Sequence, residues 1–349
     1  MKKLLLFLAI ISILVLAACG SGGEESESES ESSDAGQTEE NTEEQAEESE
    51  SGETFVIGGT QIVEHPSLDR ATEGFQKALE DAGLDFEFNF ESAQNDQNNV
   101  KTISDKFVAD GVDLIFANST PSALGAVNAT SDIPVLFTSV TDAVDAGLVP
   151  SMEESGENVT GVVDLHPDAI SETVAFIAET FPDATVGMVY NAGEQNSVAQ
   201  VEAVEAAAEG TGLTVEGKTV ANSAEVQQAA NSLVGVADVF YIITDNTVVS
   251  ALESVVGVAN DQDIPLVVGE PDSLAKGGFA TFGIDYYTIG YRTGEMAVDI
   301  LTGEKTVGDI PPEFPPEIQL FMNKEAAEEQ GVEWNADWDE TAQFVEPAE

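Results

Sequence analysis

Two kinds of polar group recur where short apolar runs give way to helical patterns. Ser119-Thr120-Pro121 opens a helix, and unpaired backbone N–H groups beside two hydroxyls suit a carboxylate. Ser139 and Thr141 lie just after the next apolar run, in Thr138-Ser-Val-Thr-Asp142. Asp245, Glu270 and Asp285 come from three further strand ends. Converging on one cleft, they would hold an ammonium group through charge-assisted hydrogen bonds. The competing roles are plain helix capping for the hydroxyls, and caps or solvated acids for the carboxylates. Gln61, Glu64, Asn196 and Asn246 form a second rank of candidates, with Tyr190, Tyr286 and Tyr287 as aromatic candidates for an apolar pocket. A solute with both an amine and a carboxylate needs one site of each kind.

Signs of catalysis or of a resident cofactor are few. His65 and His166 each precede a proline, and no motif puts a Ser or Cys nucleophile beside either. There is no His-x-x-x-His pair, and Gly58-Gly59-Thr60 lacks the spacing of a nucleotide-binding glycine loop. A single cysteine excludes a disulfide framework and a cysteine-based zinc site. No pair of carboxylates stands out for hydrolysis. The expectation is a protein that is not an enzyme and takes no cofactor and no metal.

The 349 residues carry 11 Lys+Arg against 66 Asp+Glu, a net charge of −55. Such acidity argues against polyanionic partners, so no nucleic acid is expected. The charge is unevenly placed. Lys2 and Lys3 precede a fifteen-residue apolar run, Leu4 to Ala18, broken only by Ser12. That is short of the roughly twenty residues a spanning helix needs, so it reads as a secretory signal. Its end, Leu16-Ala-Ala-Cys19-Gly20, resembles the bacterial lipoprotein signal, which implies lipidation of Cys19 and a tether outside the cytoplasmic membrane. Glu24 to Glu53 holds fourteen acidic residues and no basic ones, so residues 20–53 read as a disordered linker. The body from Thr54 onward keeps 52 acidic and nine basic side chains, a net −43. Self-repulsion on that scale predicts a halophilic protein, stabilised where salt screens it.

In the body, strand and helix patterns alternate. Thr54–Thr60, Phe86–Phe90, Asp113–Ala117 and Ile133–Phe137 are apolar strands, with helical patterns over Leu68–Ala82 and Asn98–Asp110 and another starting near Pro121. The order then recurs. Strands are predicted at Thr185–Tyr190, Val215–Val220, Val239–Ile243 and Ile264–Val268, and helices at Val198–Glu209 and Glu225–Val234. Ile133-Pro-Val-Leu-Phe and Ile264-Pro-Leu-Val-Val are spaced as Thr54 and Thr185 are, the mark of a doubled unit. The fold class is therefore α/β, two Rossmann-like lobes with parallel sheets. Val159–Val163, Ala280–Ile284 and Ile318–Met322 are left to form a three-strand hinge. One lobe takes 54–163 plus 285–315, the other 164–284 plus 316–349. Each presents the carboxyl ends of its strands to the cleft, where ligands of open parallel sheets bind.

The residues also resemble a known family. Thr60-Gln-Ile-Val-Glu-His-Pro66, Asp96-Gln-Asn-Asn, Ile133 to Asp142, Asn158-Val-Thr-Gly161, Tyr190-Asn191, Glu194 to Ser197, Asp245-Asn246 and Gly283-Ile-Asp-Tyr286 look like the ABC transporter substrate-binding lipoproteins of the tryptophan-binding type. The likeness runs from about residue 54 to residue 332. It implies a type I periplasmic-binding fold that hands a small-molecule solute, in this family often an aromatic amino acid, to ABC permease subunits. It also implies an extracytoplasmic protein, held as a monomer on the bacterial membrane by its N-terminal lipid. Three readings stay open beside it: a receptor of the same fold for a nucleoside or sugar, a ligand sensor for a signalling partner, and, weakest, an extracellular hydrolase.

Overall fold

Alternation of apolar runs with amphipathic segments gives two sheets, each coated by helices on both faces. The computed structural model describes residues 54–347. The first lobe runs β1 (Phe55–Gln61), α1 (Pro66–Asp81), β2 (Phe86–Ser92), α2 (Gln97–Asp110), β3 (Leu114–Asn118), α3 (Thr120–Ala129), β4 (Val135–Val140) and β5 (Val159–Val163). The second runs α4 (Ala169–Thr180), β6 (Thr185–Asn191), α5 (Gln195–Ala208), β7 (Thr214–Val220), α6 (Val226–Leu233), β8 (Val239–Ile242), α7 (Asn246–Val249), α8 (Leu252–Gln262), β9 (Leu266–Val268) and β10 (Ala280–Gly283). Then α9 (Tyr286–Leu301) returns to the first lobe, and β11 (Gln319–Met322), α10 (Lys324–Glu329), α11 (Trp338–Thr341) and β12 (Gln343–Phe344) complete the second.

The strand orders are β2-β1-β3-β4-β5 and β12-β11-β10-β9-β8-β6-β7. All pairings are parallel except β10 with β11. Strands β7-β6-β8-β9-β10 thus repeat the 2-1-3-4-5 order of the first lobe, a doubly wound arrangement whose binding edge is the carboxyl end of the strands. Each sheet separates two apolar clusters: one built on Phe107, Ile115 and Phe137 and one on Phe75, Phe116 and Leu136 in the first lobe, and their counterparts around Met188 and Phe240 in the second.

Helix α9 is held on the first lobe by backbone contact with α1. A Cβ at Gly290 would lie 1.9 Å from the Ala71 carbonyl oxygen, and one at Gly74 would lie 2.2 Å from that of Tyr287. Only glycine fits at these points.

One sequence expectation needs correction. The strands assigned to the hinge are sheet members: β5 edges the first sheet, while β10 and β11 lie inside the second. Their apolar residues and backbone groups are used up by neighbouring strands, so the crossings fall in the short segments after β5, after β10 and before β11. The chain beyond Glu333 packs on the second lobe. Trp338 is buried, packing 5.7 Å from the Phe176 ring and edge-on to Trp334, and β12 pairs with β11. The signal segment with Cys19 and the acidic linker 20–53 lie outside the described residues. No described helix is long and apolar enough to cross a membrane.

Candidate functional site

The carboxyl ends of both sheets meet around one narrow cavity of about 10 Å³, near the least that holds a water molecule. The first lobe supplies His65 and Leu68 at the start of α1, Ser139 and Thr141 at the carboxyl end of β4, and Tyr286 at the start of α9. The second supplies Asn196, Thr244, Asn246, Val249 and Glu270, and the first crossing supplies Asp164. Among the described residues no Lys or Arg lines it.

Four side-chain atoms in this lining are buried without a hydrogen-bond partner: His65 Nδ1, Ser139 Oγ, Asp164 Oδ1 and Asn196 Oδ1. An unpaired buried polar group costs about 1–3 kcal/mol, so four around one cavity call for something to fill it. The strand ends are bent to present them. Ser139 has φ 55° at a register shift between β4 and β5, where an irregularity re-aims a side chain. Ser119, at the end of β3, has φ 107°, a conformation that a non-glycine residue holds only under constraint.

Acidity dominates the electrostatics. The other oxygen of Asp164 accepts from the Tyr286 hydroxyl at 2.6 Å, yet burial outweighs that bond and pushes its carboxyl up to about 6. Glu270, 2% exposed, is raised by burial against donors from Ser273, whose N–H lies at 3.1 Å and whose hydroxyl also bonds it. Asp272 beside it goes up to about 7, first from burial and then from the charge of Glu270. Burial pushes His65 down to about 4, leaving a neutral imidazole. The cavity thus offers carboxylates, hydroxyls, amides and a neutral ring with a short apolar wall of Leu68 and Val249. That set suits a small polar solute bearing a cationic amine. Among the described residues no cluster of His, Cys, Asp and Glu is arranged to hold a metal.

Of the residues singled out from the sequence, Ser139, Thr141, Asn196, Asn246, Glu270 and Tyr286 line the cavity. The others do not. Ser119 caps α3, accepting from Ser122 N, and Thr120 accepts from Thr141 N at 3.4 Å, so this pair braces the rim. Asp245 is fully buried behind the wall, accepting from Asn191 N at 2.6 Å and Val248 N at 2.8 Å as the cap of α7; burial and then Glu194 push it up to about 7. Asp285 caps α9 through Tyr287 N and faces Arg70 at 3.5 Å on a separate exposed groove. For both aspartates the capping role prevails. Gln61 is taken up by Asp69, Val63, Thr72 and Asn118 inside the first lobe, and Glu64 is exposed. Of the tyrosines only Tyr286 reaches the cavity; Tyr190 packs on the second lobe's core, and Tyr287 stacks between Arg70 and Tyr291. Sequence reasoning missed Asp164 and Thr244, and weighed His65 only for catalysis.

Residues 56–344 match the family described as ABC transporter substrate binding protein. A tyrosine-binding protein of Clostridioides difficile (strain R20291) is 44% identical over 274 residues, covering 77% of this chain and 79% of the relative. The structure of an ABC domain in complex with L-Trp from Streptococcus pneumonia is 32% identical with a TM-score of 0.79, over 84% of this chain and all of that one. A ligand-free, open substrate binding protein with adhesive properties from Clostridium difficile, matched over the same shares, is 40% identical, yet its TM-score is 0.62. The nearer sequence is the poorer superposition, as expected if the lobes here are closed. The fold is that of the type I periplasmic binding proteins. By the match of residues 56–344, this chain belongs to the ABC transporter substrate-binding proteins, which bind solutes and are not enzymes.

Proposed function

We propose that the protein binds an amino acid in the cleft, aromatic like tyrosine or tryptophan, and delivers it to an ABC permease from a lipid anchor at Cys19, working as a monomer. The observation that carries this reading is the set of four unpartnered buried atoms, His65 Nδ1, Ser139 Oγ, Asp164 Oδ1 and Asn196 Oδ1, facing one cavity between the lobes. Asp164 and Glu270 would take the amine, and with no cation in the lining a charge-assisted bond there is strong. Ser139 and Thr141, held by the brace at Ser119 and Thr120, would take the carboxylate. Leu68, Val249 and Tyr286 would meet the side chain. The tyrosine-binding and L-Trp-bound relatives support the ligand class.

Solute enters the open cleft and bridges both lobes. The closed state gains only what the solute contributes to it beyond the open one, and the permease reads the closed form. Mass spectrometry of small molecules released from the purified, denatured protein tests this. Recovery of an aromatic amino acid is expected; recovery of a nucleoside or sugar would replace the reading with a receptor of the same fold for that class.

A further inference from the structure

Among the described residues, three side-chain hydrogen-bonded contacts join the lobes across the cleft besides the Tyr286–Asp164 bond in the cavity wall. Gln200 Nε2 donates to Thr141 Oγ1 at 3.3 Å. Gln195 Nε2 donates to the Asp145 carbonyl at 2.8 Å. Asn95 Nδ2, after β2, donates to Thr247 Oγ1, in α7, at 2.7 Å. The third differs from the others in how completely both partners are fixed.

Thr247 is fully buried and does not line the cavity. Its hydroxyl donates to Glu194 Oε1 at 2.7 Å and accepts from Asn191 Nδ2 at 2.9 Å as well as from Asn95. One donor and two acceptor positions exhaust a hydroxyl. With its proton committed to Glu194, a lone pair is left aimed at the other lobe. Asn95 is aimed in return. It and Gln94 are consecutive non-glycine residues in the left-handed region, φ 58° and 54°, and the Asn95 N–H is tied to the Ile62 carbonyl at 2.7 Å. The carboxylate of Glu194 also takes the N–H and the side-chain amide of Asn246, at 3.2 and 2.6 Å, and the N–H of Thr247 at 3.0 Å. One buried group therefore fixes both a residue of the cavity wall and the acceptor of the contact between lobes.

We propose that Asn95 and Thr247 form a closing latch, set by Glu194 as positioning residue, that holds the lobes shut without touching the solute and so governs how long it is retained. This rests on the solute-binding reading of the cleft. Affinity differences between related complexes lie mostly in dissociation, and a latch made only on closure acts there.

The test uses the full chain and the variants Asn95→Gly, Thr247→Val and Thr247→Ser. Glycine keeps the left-handed backbone while removing the amide; serine keeps the hydroxyl that valine removes. With L-tyrosine as probe, stopped-flow measurement is expected to show Asn95→Gly and Thr247→Val releasing it about two- to tenfold faster, the range for loss of one hydrogen bond. Association should be unchanged, and Thr247→Ser should stay near the native rate. A second readout does not depend on the solute's identity. Hydrogen exchange of residues 244–250, on the far lobe from the Asn95→Gly change, is expected to quicken in the chain as purified. Native release and native exchange in Asn95→Gly would overturn the latch. Failure of the native chain to bind L-tyrosine would overturn that choice of ligand instead, leaving exchange to decide the latch.

Discussion

Changing Asp164 to Asn separates the site's cost from its use. Burial raises the Asp164 carboxyl from its ordinary 3.8 to about 6 in the folded chain. A raised carboxyl favours the folded state while protonated. Its penalty is absent below about pH 4, grows as pH rises, and is complete above about pH 6. At about 1.36 kcal/mol per pKa unit, that shift of roughly two units corresponds to about 3 kcal/mol as an upper bound. Asn keeps an oxygen for the Tyr286 hydroxyl and carries no charge, so the penalty goes. Solute-free Asp164→Asn should therefore be more stable than the native chain at pH 7.5, by up to about 3 kcal/mol, and by only about 1 kcal/mol at pH 4.5. The same change should weaken amino-acid binding at pH 7.5 about tenfold to a hundredfold, because a hydrogen bond to a charged group contributes about 1.5–3 kcal/mol. Urea unfolding at the two pH values and calorimetry with L-tyrosine measure both. A variant less stable than native at pH 7.5, or a stability gain that is the same at both pH values, would refute the assignment of Asp164 as a buried acid awaiting a cation.

Three further outcomes are expected. The solute-free native chain should lose melting temperature as pH rises from about 4 to 7, because the raised carboxyls, Asp164 at about 6 and Asp245 and Asp272 at about 7, outweigh His65, whose lowering to about 4 acts the other way; a melting temperature that climbs over that window contradicts it. Gly290→Ala should destabilise the chain by about 1–3 kcal/mol, since the new Cβ falls 1.9 Å from the Ala71 carbonyl oxygen; chemical unfolding at neutral pH reads this, and an unchanged midpoint contradicts it. Melting temperature should rise from low salt to about 1 M salt, where the Debye length is about 3 Å and the body's net −43 is screened; a flat profile removes the halophilic reading.

The doubled α/β order was legible because buried parallel strands read as short apolar runs and the spacing of Ile133-Pro and Ile264-Pro repeats that of Thr54 and Thr185. The make-up of the hinge was not. Apolar strands look alike whether they pair inside a sheet or leave it, so β5, β10 and β11 were assigned to the hinge. At the site, residues at or just beyond the carboxyl ends of strands, such as Ser139, Asn196 and Glu270, were legible from topology alone. Asp245-Asn-Thr-Val and Asp285-Tyr-Tyr-Thr are N-cap patterns as much as they are strand ends, and capping prevails in the fold. Asp164 lies on a crossing with no periodic pattern, in Asp164-Leu-His-Pro-Asp168, so only the meeting of the lobes gives it a role. His65 carried one usable signal, the following proline at the first turn of a helix, which places its ring at the amino end of α1 beside the cleft.

Calorimetry of the full chain at pH 7.5 with L-tyrosine, with tyramine, which lacks the carboxylate, and with 3-(4-hydroxyphenyl)propionate, which lacks the amine, tests the two-ended cleft most directly. The expected result is binding of the amino acid with one solute per chain and loss of most affinity for both analogues. Binding of the amine-free analogue as tightly as the amino acid would contradict the account, because the carboxylates of Asp164 and Glu270 would then have no cation to meet.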